Sequence, residues 1–317
     1  MILLLGATGY IGQAFARELM RRRWDFRPLS RREVDYSRFE TLLECLRSNK
    51  PSFVLNAAGF TGRPNVDACE TARADTLQGN TLLPITIADA CAATGAPWGH
   101  VSSGCIYSGA YIVEGERRAI ESDLMQPGVR ALIERCPSAL RGFTEEDEPN
   151  FTFRRPPCSF YSGTKALAEE ALRKHSNGFL WRLRIPFDEV DEPKNYLGKL
   201  LRYARLYDSF NSLSHRGDFV RACLDLWECR APFGTYNVTN PGFVATRHVV
   251  ALIQKILKPG RAFEFFASDE EFYRLAARAP RSNCVLDVSK LLATGVKLRP
   301  VEDALTEALK NWRREGG

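Results

Sequence analysis

Two residues with complementary acid–base chemistry lie four positions apart in Tyr161-Ser162-Gly163-Thr164-Lys165. On a helix, side chains at positions i and i+4 share one face, so the phenol and the ammonium group are expected to be neighbours. A nearby cation lowers the pKa of a phenol, and such a tyrosine could donate a proton to a carbonyl oxygen. The alternative is a packed tyrosine and a solvated lysine on an amphipathic helix.

A glycine motif near the start of the chain has the spacing of a phosphate-binding turn. Gly6-Ala7-Thr8-Gly9-Tyr10-Ile11-Gly12 connects the apolar run Ile2–Leu5 to a helical pattern that starts at Tyr10. Glycines here permit a tight turn and let backbone N–H groups and the helix N-terminus approach a pyrophosphate. The alternative is a loop that is glycine-rich only because it turns tightly. We predict that the turn binds a dinucleotide cofactor through Gly6, Thr8, Gly9, Tyr10, Ile11 and Gly12.

The segment after the second predicted strand, Leu29-Ser30-Arg31-Arg32, indicates which dinucleotide is bound. An acidic residue usually contacts the ribose hydroxyls of NAD, whereas arginine accommodates the 2′-phosphate of NADP. Because no carboxylate occupies the expected place, the sequence predicts NADPH rather than NADH. Arg31 is the preferred contact and Arg32 lies beside it. The alternative is a pair of solvated arginines in a loop.

Short apolar segments alternate with helical patterns over the first half of the chain. This alternation predicts right-handed βαβ units, and hence an α/β fold with a Rossmann-type, doubly wound parallel sheet. We assign residues 1–186 to a Rossmann domain with a charged insertion at about 108–148, where only Val129–Cys136 has a helical pattern. Residues 187–317 form a smaller α/β substrate domain, part of which could return to the sheet. The predicted strands are Ile2–Leu5, Phe26–Leu29, Phe53–Leu55, Trp98–Ser102 and Phe179–Ile185, and the main predicted helices are Tyr10–Arg23, Phe39–Ser48, Leu82–Thr94, Tyr161–His175, Leu197–Tyr207, Thr246–Leu257 and Val301–Trp312.

The composition excludes several classes of protein. A hydrophobic fraction of 44% and a charged fraction of 26% are ordinary for a globular protein. The net charge of +6 comes from scattered residues, so no nucleic-acid partner is expected. The nine cysteines show no CxxC pair, which argues against a metal site and against disulfides. No apolar run is long enough to span a membrane, and we expect a cytoplasmic protein.

A serine pair ends the fourth predicted strand in Val101-Ser102-Ser103-Gly104. Open α/β sheets bind their ligands at the carboxyl ends of the strands, so a hydroxyl group here could hydrogen-bond a substrate carbonyl. We choose Ser103 as the third catalytic residue and expect Ser102 to face inward. The alternative is a serine that only terminates the strand.

These motifs together resemble the extended short-chain dehydrogenase/reductase family. The residues that carry the resemblance are the glycine turn, Asn56-Ala57-Ala58-Gly59, Ser103 and the Tyr161/Lys165 pair. Several longer strings resemble the bifunctional 3,5-epimerase/4-reductases of plants and giant viruses, which make UDP-L-rhamnose from UDP-4-keto-6-deoxy-glucose. The dTDP-4-dehydrorhamnose reductases are a more distant likeness. The strings are 56–70 (NAAGFTGRPNVDACE), 104–107 (GCIY), 149–165, 236–242 (YNVTNPG) and 279–283 (APRSN).

The resemblance implies an NADPH-dependent reduction of a nucleotide-sugar and a homodimer formed through the Tyr161 helix. It places Asn56, Ala57, Ala58 and Gly59 beside the cofactor, and it gives Cys105 and Lys199 the positions of the family's proposed epimerase acid–base pair. Without it, Cys105 is a small buried side chain and Lys199 is a solvated charge. Guanidinium groups suit a diphosphate, so Arg63 and Arg281, with Asn65, are the candidate substrate contacts.

Three hypotheses follow for the function. The first is a bifunctional enzyme that epimerises C3 and C5 of a 4-keto sugar before reducing C4. The second is a simple 4-reductase in which Cys105 only packs. The third is a cofactor-binding regulatory subunit on a reductase scaffold, because a fold alone does not prove activity. The sequence does not fix the nucleotide base, the product stereochemistry or the role of the segment between Tyr107 and Thr144, which is longer than the family pattern.

Overall fold

A six-stranded parallel sheet forms the centre of the computed structural model, which describes residues 1–63 and 65–314. Pro64 and the last three residues of the predicted second domain lie outside the described residues. The arrangement confirms the predicted α/β class and the doubly wound parallel sheet. In spatial order the strands are Gly234–Asn237, Gly178–Leu183, Trp98–Ser103, Phe53–Asn56, Ile2–Leu5 and Phe26–Leu29.

The first strand shows why helices cover both faces of the sheet. Successive side chains of a strand point to opposite faces, and all four residues of Ile2–Leu5 are buried. Ile2 and Leu4 pack in one hydrophobic core, and Leu3 and Leu5 pack in another. A strand buried on both faces has a continuous apolar sequence instead of an alternating one.

The helices of the described chain lie on the two faces of this sheet, in the insertion and in the C-terminal part. A third core joins Leu200, Val249 and Leu305 from three C-terminal helices. No helix in the described ranges is long and apolar enough to cross a membrane. The helices are Tyr10–Arg21, Phe39–Asn49, Arg73–Leu77, Leu83–Thr94, Pro127–Arg135, Phe160–Leu172, Tyr196–Arg202, Arg216–Glu228, Thr246–Leu257, Asp269–Leu275, Ser289–Ala293 and Val301–Lys310.

The charged insertion contains a β-hairpin that the sequence analysis missed. Strands Ala110–Glu114 and Arg117–Glu121 pair antiparallel, and Leu140–Arg141 adds a third, short strand. The second strand is charged and mostly exposed, so it shows no apolar alternation. The sequence indicates the hairpin only at its turn, where Gly115 adopts a φ of +60° that favours glycine.

In the C-terminal half, one helix is shorter than predicted. The helix expected over Leu197–Tyr207 spans only Tyr196–Arg202, and Arg205–Leu206 then pairs as a short strand with Glu264–Phe265. The chain also returns to the central sheet through helix Arg216–Glu228 and strand Gly234–Asn237. The boundary at residue 186 stays a prediction, since the second segment contributes to both parts. The other short strands are Pro186–Phe187, Val190–Asp191, Phe210–Asn211, Ser214–His215, Val244–Ala245 and Arg313–Arg314.

A buried ion pair connects helix Phe160–Leu172 to the central sheet. Arg182 donates to Glu169 over 2.8 Å, and the two side chains are 3% and 5% exposed. The Ser102 hydroxyl donates to the same carboxylate over 2.5 Å, so Ser102 faces inward as expected. Strand Trp98–Ser103, strand Gly178–Leu183 and the helix therefore meet at a single carboxylate.

Replacing Glu169 by Gln should lower the free energy of unfolding by about 3–5 kcal/mol, because Arg182 would remain buried without a counter-charge. Urea unfolding of the purified variant measures this loss. The neighbouring Glu170 pairs with Arg154 at the surface, where both side chains are largely exposed. Glu170→Gln is the matched control and should cost less than about 1 kcal/mol. Equal losses in the two variants would contradict this assignment.

Candidate active site

The glycine turn packs directly against the loop after the third strand. Gly6 has a φ of +76°, and a Cβ atom on it would lie 2.5 Å from the backbone nitrogen of Ala58. A Cβ atom on Gly12 would lie 2.0 Å from the carbonyl oxygen of Gly6. Gly9 precedes helix Tyr10–Arg21 without a side-chain cap, so the first N–H groups of the helix are available to an anion.

A large cavity of about 1510 Å³ opens at the carboxyl ends of the strands. This volume exceeds that of a typical single-ligand pocket, about 300–1,000 Å³, and can hold a dinucleotide together with a second ligand. Its wall includes most of the predicted site residues: Gly6, Thr8, Gly9, Tyr10, Ile11, Arg31, Ala57, Ala58, Gly59, Asn65, Ser103, Cys105, Tyr161, Lys165, Lys199 and Arg281.

Four predicted site residues are not part of this wall. Gly12 lies behind the turn, where its missing side chain allows the helix to approach Gly6. Asn56 is buried below the loop, accepts a hydrogen bond from the backbone of Ala58 over 2.9 Å and contacts His100. Arg32 and Arg63 are exposed and do not line the cavity. Asn56 and Gly12 therefore shape the cofactor loops instead of lining the cavity.

One predicted cofactor contact in the wall, Tyr10, has its hydroxyl group engaged by the protein. The Tyr10 hydroxyl donates to Asp188 over 3.3 Å, and the Arg216 guanidinium lies 4.1 Å from the ring centroid. Burial raises the pKa of Tyr10. Tyr10 thus connects helix Tyr10–Arg21 to the segment that follows strand Gly178–Leu183.

The predicted substrate contacts Asn65 and Arg281 are also held internally. The Asn65 side chain caps the short helix Val66–Glu70 by accepting from the backbone of Asp67 over 2.8 Å. Arg281 forms two hydrogen bonds of 2.7 Å with the carboxylate of Asp67. No local sequence signal links Asp67 to Arg281, because 214 residues separate them. In the free protein this pair joins the two sides of the cavity.

Ser103, Tyr161 and Lys165 lie in the wall of the same cavity. Ser103 ends its strand opposite Leu183, and its hydroxyl lies near the Tyr161 phenol. The Ser159 hydroxyl caps the helix that carries Tyr161 by accepting from the backbone of Ser162 over 3.1 Å. Lys165 points inward from the same helix and donates to the carbonyl oxygen of Val101 over 3.4 Å.

The pKa of Tyr161 shifts in the direction opposite to the sequence-based expectation. Burial raises the pKa of Tyr161, the nearby Cys105 adds to the increase, and the Ser103 hydroxyl opposes it. The same burial lowers the pKa of the Lys165 ammonium from 10.5 to about 8. In the free protein, burial therefore outweighs the attraction expected between a lysine cation and a phenolate.

The residues proposed for epimerisation line the same cavity from separate elements. Cys105 is 6% exposed, in a short turn of helix after Ser103. Burial raises the pKa of its thiol, whereas hydrogen bonds with Ser103 and Ser162 oppose the increase. Lys199 is half-buried on helix Tyr196–Arg202, and burial together with the nearby Lys194 lowers its pKa.

The cofactor end of the cavity contains side chains that no motif indicated. Arg31 lies beside the Tyr36 hydroxyl, and both residues line the wall. The Glu33 carboxylate also lies there, accepting from the backbone and the hydroxyl of Ser30 over 3.0 and 2.7 Å. Glu33 lies four residues beyond the predicted strand, so inspection of the strand end alone did not identify it. The nine cysteines are unpaired, and the described ranges contain no cluster suited to a metal ion.

Replacing Lys165 by Met should raise the free energy of unfolding of the cofactor-free protein by about 3 kcal/mol at neutral pH. Because the folded-state pKa lies below the ordinary value, folding must bury an ammonium group at neutral pH, and this cost falls between pH 8 and 10.5. Urea unfolding at neutral pH and at about pH 10 should show the gain shrinking. The exposed Lys174, at the end of the same helix, provides the control Lys174→Met. A gain that does not depend on pH would refute the explanation.

Comparison with known proteins gives consistent relatives over the whole chain. A bifunctional dTDP-4-dehydrorhamnose 3,5-epimerase/dTDP-4-dehydrorhamnose reductase from Arabidopsis thaliana is 31% identical over 304 residues, covering 96% of this chain and 90% of that protein. A trifunctional UDP-glucose 4,6-dehydratase/UDP-4-keto-6-deoxy-D-glucose 3,5-epimerase/UDP-4-keto-L-rhamnose-reductase from the same plant is 30% identical. The match covers 96% of this chain and 40% of the longer protein.

Solved structures and a family model extend the comparison. The UDP-rhamnose synthase of Acanthamoeba polyphaga mimivirus shares the fold with a TM-score of 0.81, at 22% identity over 98% of both chains. The dTDP-4-dehydrorhamnose reductase of Bacillus anthracis, in complex with NADP, has a TM-score of 0.74 at 18% identity over 98% of this chain and 97% of its own. The family model described as RmlD substrate binding domain matches residues 1–314. The chain therefore belongs to the RmlD substrate binding domain family, and its resemblance to the extended short-chain dehydrogenase/reductases is confirmed.

Proposed function

We propose that the protein is an NADPH-dependent 4-keto reductase of a nucleotide-linked 6-deoxyhexose and that it epimerises C3 and C5 of the sugar before the reduction. The observation that carries this proposal is that the glycine turn, Ser103, Tyr161, Lys165, Cys105 and Lys199 line one cavity. The names of the Arabidopsis relatives support the substrate class. The product would be a 6-deoxy-L-hexose such as UDP-L-rhamnose, or its dTDP counterpart.

In the reduction, the protein orients the ketone and supplies a proton. The glycine turn would hold NADPH, which would supply the hydride for C4. Ser103 and Tyr161 are placed to hydrogen-bond the C4 oxygen, because both line the cavity and the Ser103 hydroxyl lies near the phenol. Tyr161 then donates its proton to that oxygen, and the positive charge of Lys165 stabilises the phenolate that remains.

In the epimerisation, Cys105 and Lys199 exchange protons with the carbons next to the ketone. One group takes the proton of C3 or C5, the C–H electron pair forms a C=C bond, and the carbonyl π pair moves to the C4 oxygen. Collapse of this enolate returns the double bond to the carbonyl, and the carbon takes a proton from the other group on the opposite face. Burial lowers the pKa of Lys199, so a neutral amine becomes accessible closer to neutral pH.

Two alternative functions differ in which residues they require. A simple 4-reductase needs Ser103, Tyr161 and Lys165 but leaves Cys105 as a packing residue. A non-catalytic NADP-binding subunit would need none of the four.

We also propose a cytoplasmic homodimer formed through helix Phe160–Leu172, where Leu167 is 41% exposed. Sizing chromatography with light scattering tests the dimer.

Deuterium exchange separates the two chemical steps. In D₂O without NADPH, the wild-type protein should incorporate deuterium at C3 and C5 of UDP- or dTDP-4-keto-6-deoxy-glucose. Cys105→Ser should slow this exchange by about 10²-fold or more, yet reduce a pre-epimerised substrate at a near-normal rate. Tyr161→Phe should lose reduction by about 10²-fold or more and slow the exchange much less, because Ser103 still donates a hydrogen bond to the C4 oxygen. NMR follows both reactions and identifies the product.

A control variant and the pattern of exchange and reduction distinguish the three candidate functions. Cys69→Ser, at a buried thiol outside the cavity wall, is the control for general damage and should affect neither step. Absence of exchange in the wild type would leave a simple 4-reductase. Unchanged activity in Tyr161→Phe would favour the binding subunit. Preference for one nucleotide in the same assay would identify the base.

Cofactor preference tests the role of Arg31. The wild type should use NADPH better than NADH, and Arg31→Ala should lower kcat/KM for NADPH about 10- to 100-fold, because a charged contact with the 2′-phosphate is lost. Activity with NADH should change little. Arg32→Ala is the matched control, since Arg32 does not line the cavity. NADH used as well as NADPH by the wild type would overturn the cofactor choice.

A further inference from the structure

Arg184 is a buried cation at the catalytic end of the cavity. It follows Leu183, the residue that pairs with Ser103 across the sheet, and only 6% of it is exposed. Its backbone is fixed by two hydrogen bonds with Ser214, over 3.1 and 2.8 Å. Its side chain lines the same wall as Cys105 and Tyr161.

The guanidinium group has only neutral partners. Its Nη2 atom donates to the Asn211 side chain over 2.6 Å and to the carbonyl oxygen of Ser282. Its Nε atom is buried and has no hydrogen-bond partner among the described residues. No carboxylate of the described residues forms an ion pair with it.

The other two buried arginines show what this position lacks. Arg182 pairs with Glu169, and Arg216 pairs with Asp188 and Glu192. A buried charge is costly unless an opposite charge and hydrogen bonds compensate it. Asn211 and Ser282 supply hydrogen bonds to Arg184 but no charge. An anion in the cavity would supply the missing compensation.

Cys105 is a group in the same cavity wall that can become an anion, and it lies two residues beyond Ser103, whose strand partner Leu183 directly precedes Arg184. Besides Arg184, the Lys165 ammonium is the cation that lowers the pKa of its thiol. Ser103 and Ser162 hydrogen-bond it, whereas Tyr161 and the thiols of Cys69 and Cys158 are uncharged neighbours. Glu70 is the acidic group on this side, next to Cys69 and Cys158. The cations at Cys105 therefore come from the sheet edge and from the Tyr161 helix.

We propose that Arg184 is the counter-charge of the Cys105 thiolate and that it acts on the epimerisation through that thiol. Only this catalytic consequence rests on the proposed function. When the thiolate takes a proton from C3 or C5, an S–H bond forms, the C–H bond breaks and its electron pair forms C=C. The carbonyl π pair moves to the C4 oxygen. The negative charge thus passes from sulfur to oxygen within the cavity that Arg184 lines.

The pH dependence of Cys105 alkylation tests the proposal without substrate. Isotope-coded iodoacetamide with peptide mass spectrometry reports the rate at Cys105 separately from the other eight thiols. Arg184→Gln, which keeps hydrogen-bond donors but removes the charge, should move the midpoint of the alkylation profile up by about one pH unit or more. Arg184→Lys should restore it nearly to the wild-type value. Arg47→Met, at an exposed arginine on a distant helix, should leave it unchanged.

A purely structural role for Arg184 predicts a different pattern. If Arg184→Gln folds, by circular dichroism and thermal melting, and keeps the wild-type midpoint, the proposal is wrong. If it does not fold, the pH profiles of Cys105 and Cys69 in the wild type test the proposal, because Cys69 is buried nearby and the carboxylates Glu70 and Asp67 raise its pKa. Cys105 should then ionise at a lower pH than Cys69, and the reverse order would overturn the proposal.

Deuterium exchange keeps this proposal distinct from the proposed function. A shifted alkylation profile together with exchange slowed about tenfold or more in Arg184→Gln, and rescued in Arg184→Lys, supports both. If the alkylation profile shifts in Arg184→Gln but the wild type shows no deuterium exchange, the counter-charge is supported and the epimerase activity is refuted. An unshifted profile with a raised KM for the nucleotide-sugar would make Arg184 a substrate contact instead, and would overturn the inference.

Discussion

The ion pair between Glu169 and Arg182 fixes the geometry on which the candidate site depends. Glu169 lies two helical turns after Tyr161 on the same helix. Its carboxylate also accepts a hydrogen bond from the hydroxyl group of Ser102, the neighbour of Ser103. The hydrogen bonds at this carboxylate therefore fix the position of helix Phe160–Leu172 relative to strands Trp98–Ser103 and Gly178–Leu183. Apolar contacts alone would hold the helix on the sheet but would specify its register less sharply, because dispersion forces lack direction.

A second constraint is the charge balance of the cavity. Lys165, Lys199 and Arg184 all line it, and none forms an ion pair with a described residue. Burial lowers the pKa of both lysines, which shows that the free protein holds these cations at a cost in free energy. A diphosphate and an enolate are both anions, so their binding would offset this cost. Such a site sacrifices stability of the free protein for stronger electrostatic interactions when it is occupied.

Sequence reasoning located the features that depend on short spacing. The glycine turn, the Tyr161/Lys165 pair and the serine at the strand end are local signals, and all of them reach one cavity. It did not locate contacts between distant segments, such as Asp67 with Arg281 or Tyr10 with Asp188, because nothing in either segment specifies the other. The hairpin at 110–121 was missed for another reason: its exposed strand shows no apolar alternation.

Electrostatics was the hardest property to predict from sequence. The spacing of Tyr161 and Lys165 predicted neighbouring side chains and a lowered phenol pKa; both residues line the cavity, yet the pKa of Tyr161 is raised. Proximity of a cation can be derived from helix geometry, whereas burial depends on the packing of every surrounding element. The burial of Arg184 also depends on tertiary packing, and an arginine at the end of an apolar strand belongs to no recognisable motif. Its lack of a carboxylate partner is visible only in three dimensions.

Both proposed reactions place negative charge on the same atom. Removal of a proton next to the ketone makes an enolate oxygen at C4, and hydride addition makes an alkoxide at C4. Ser103 and Tyr161 are placed to donate hydrogen bonds to that oxygen, and the cations around it stabilise charge in either step. A reductase site of this construction therefore already contains most of what epimerisation requires. Adding the second activity needs only proton-transfer groups at the adjacent carbons, which is the contribution proposed for Cys105 and Lys199.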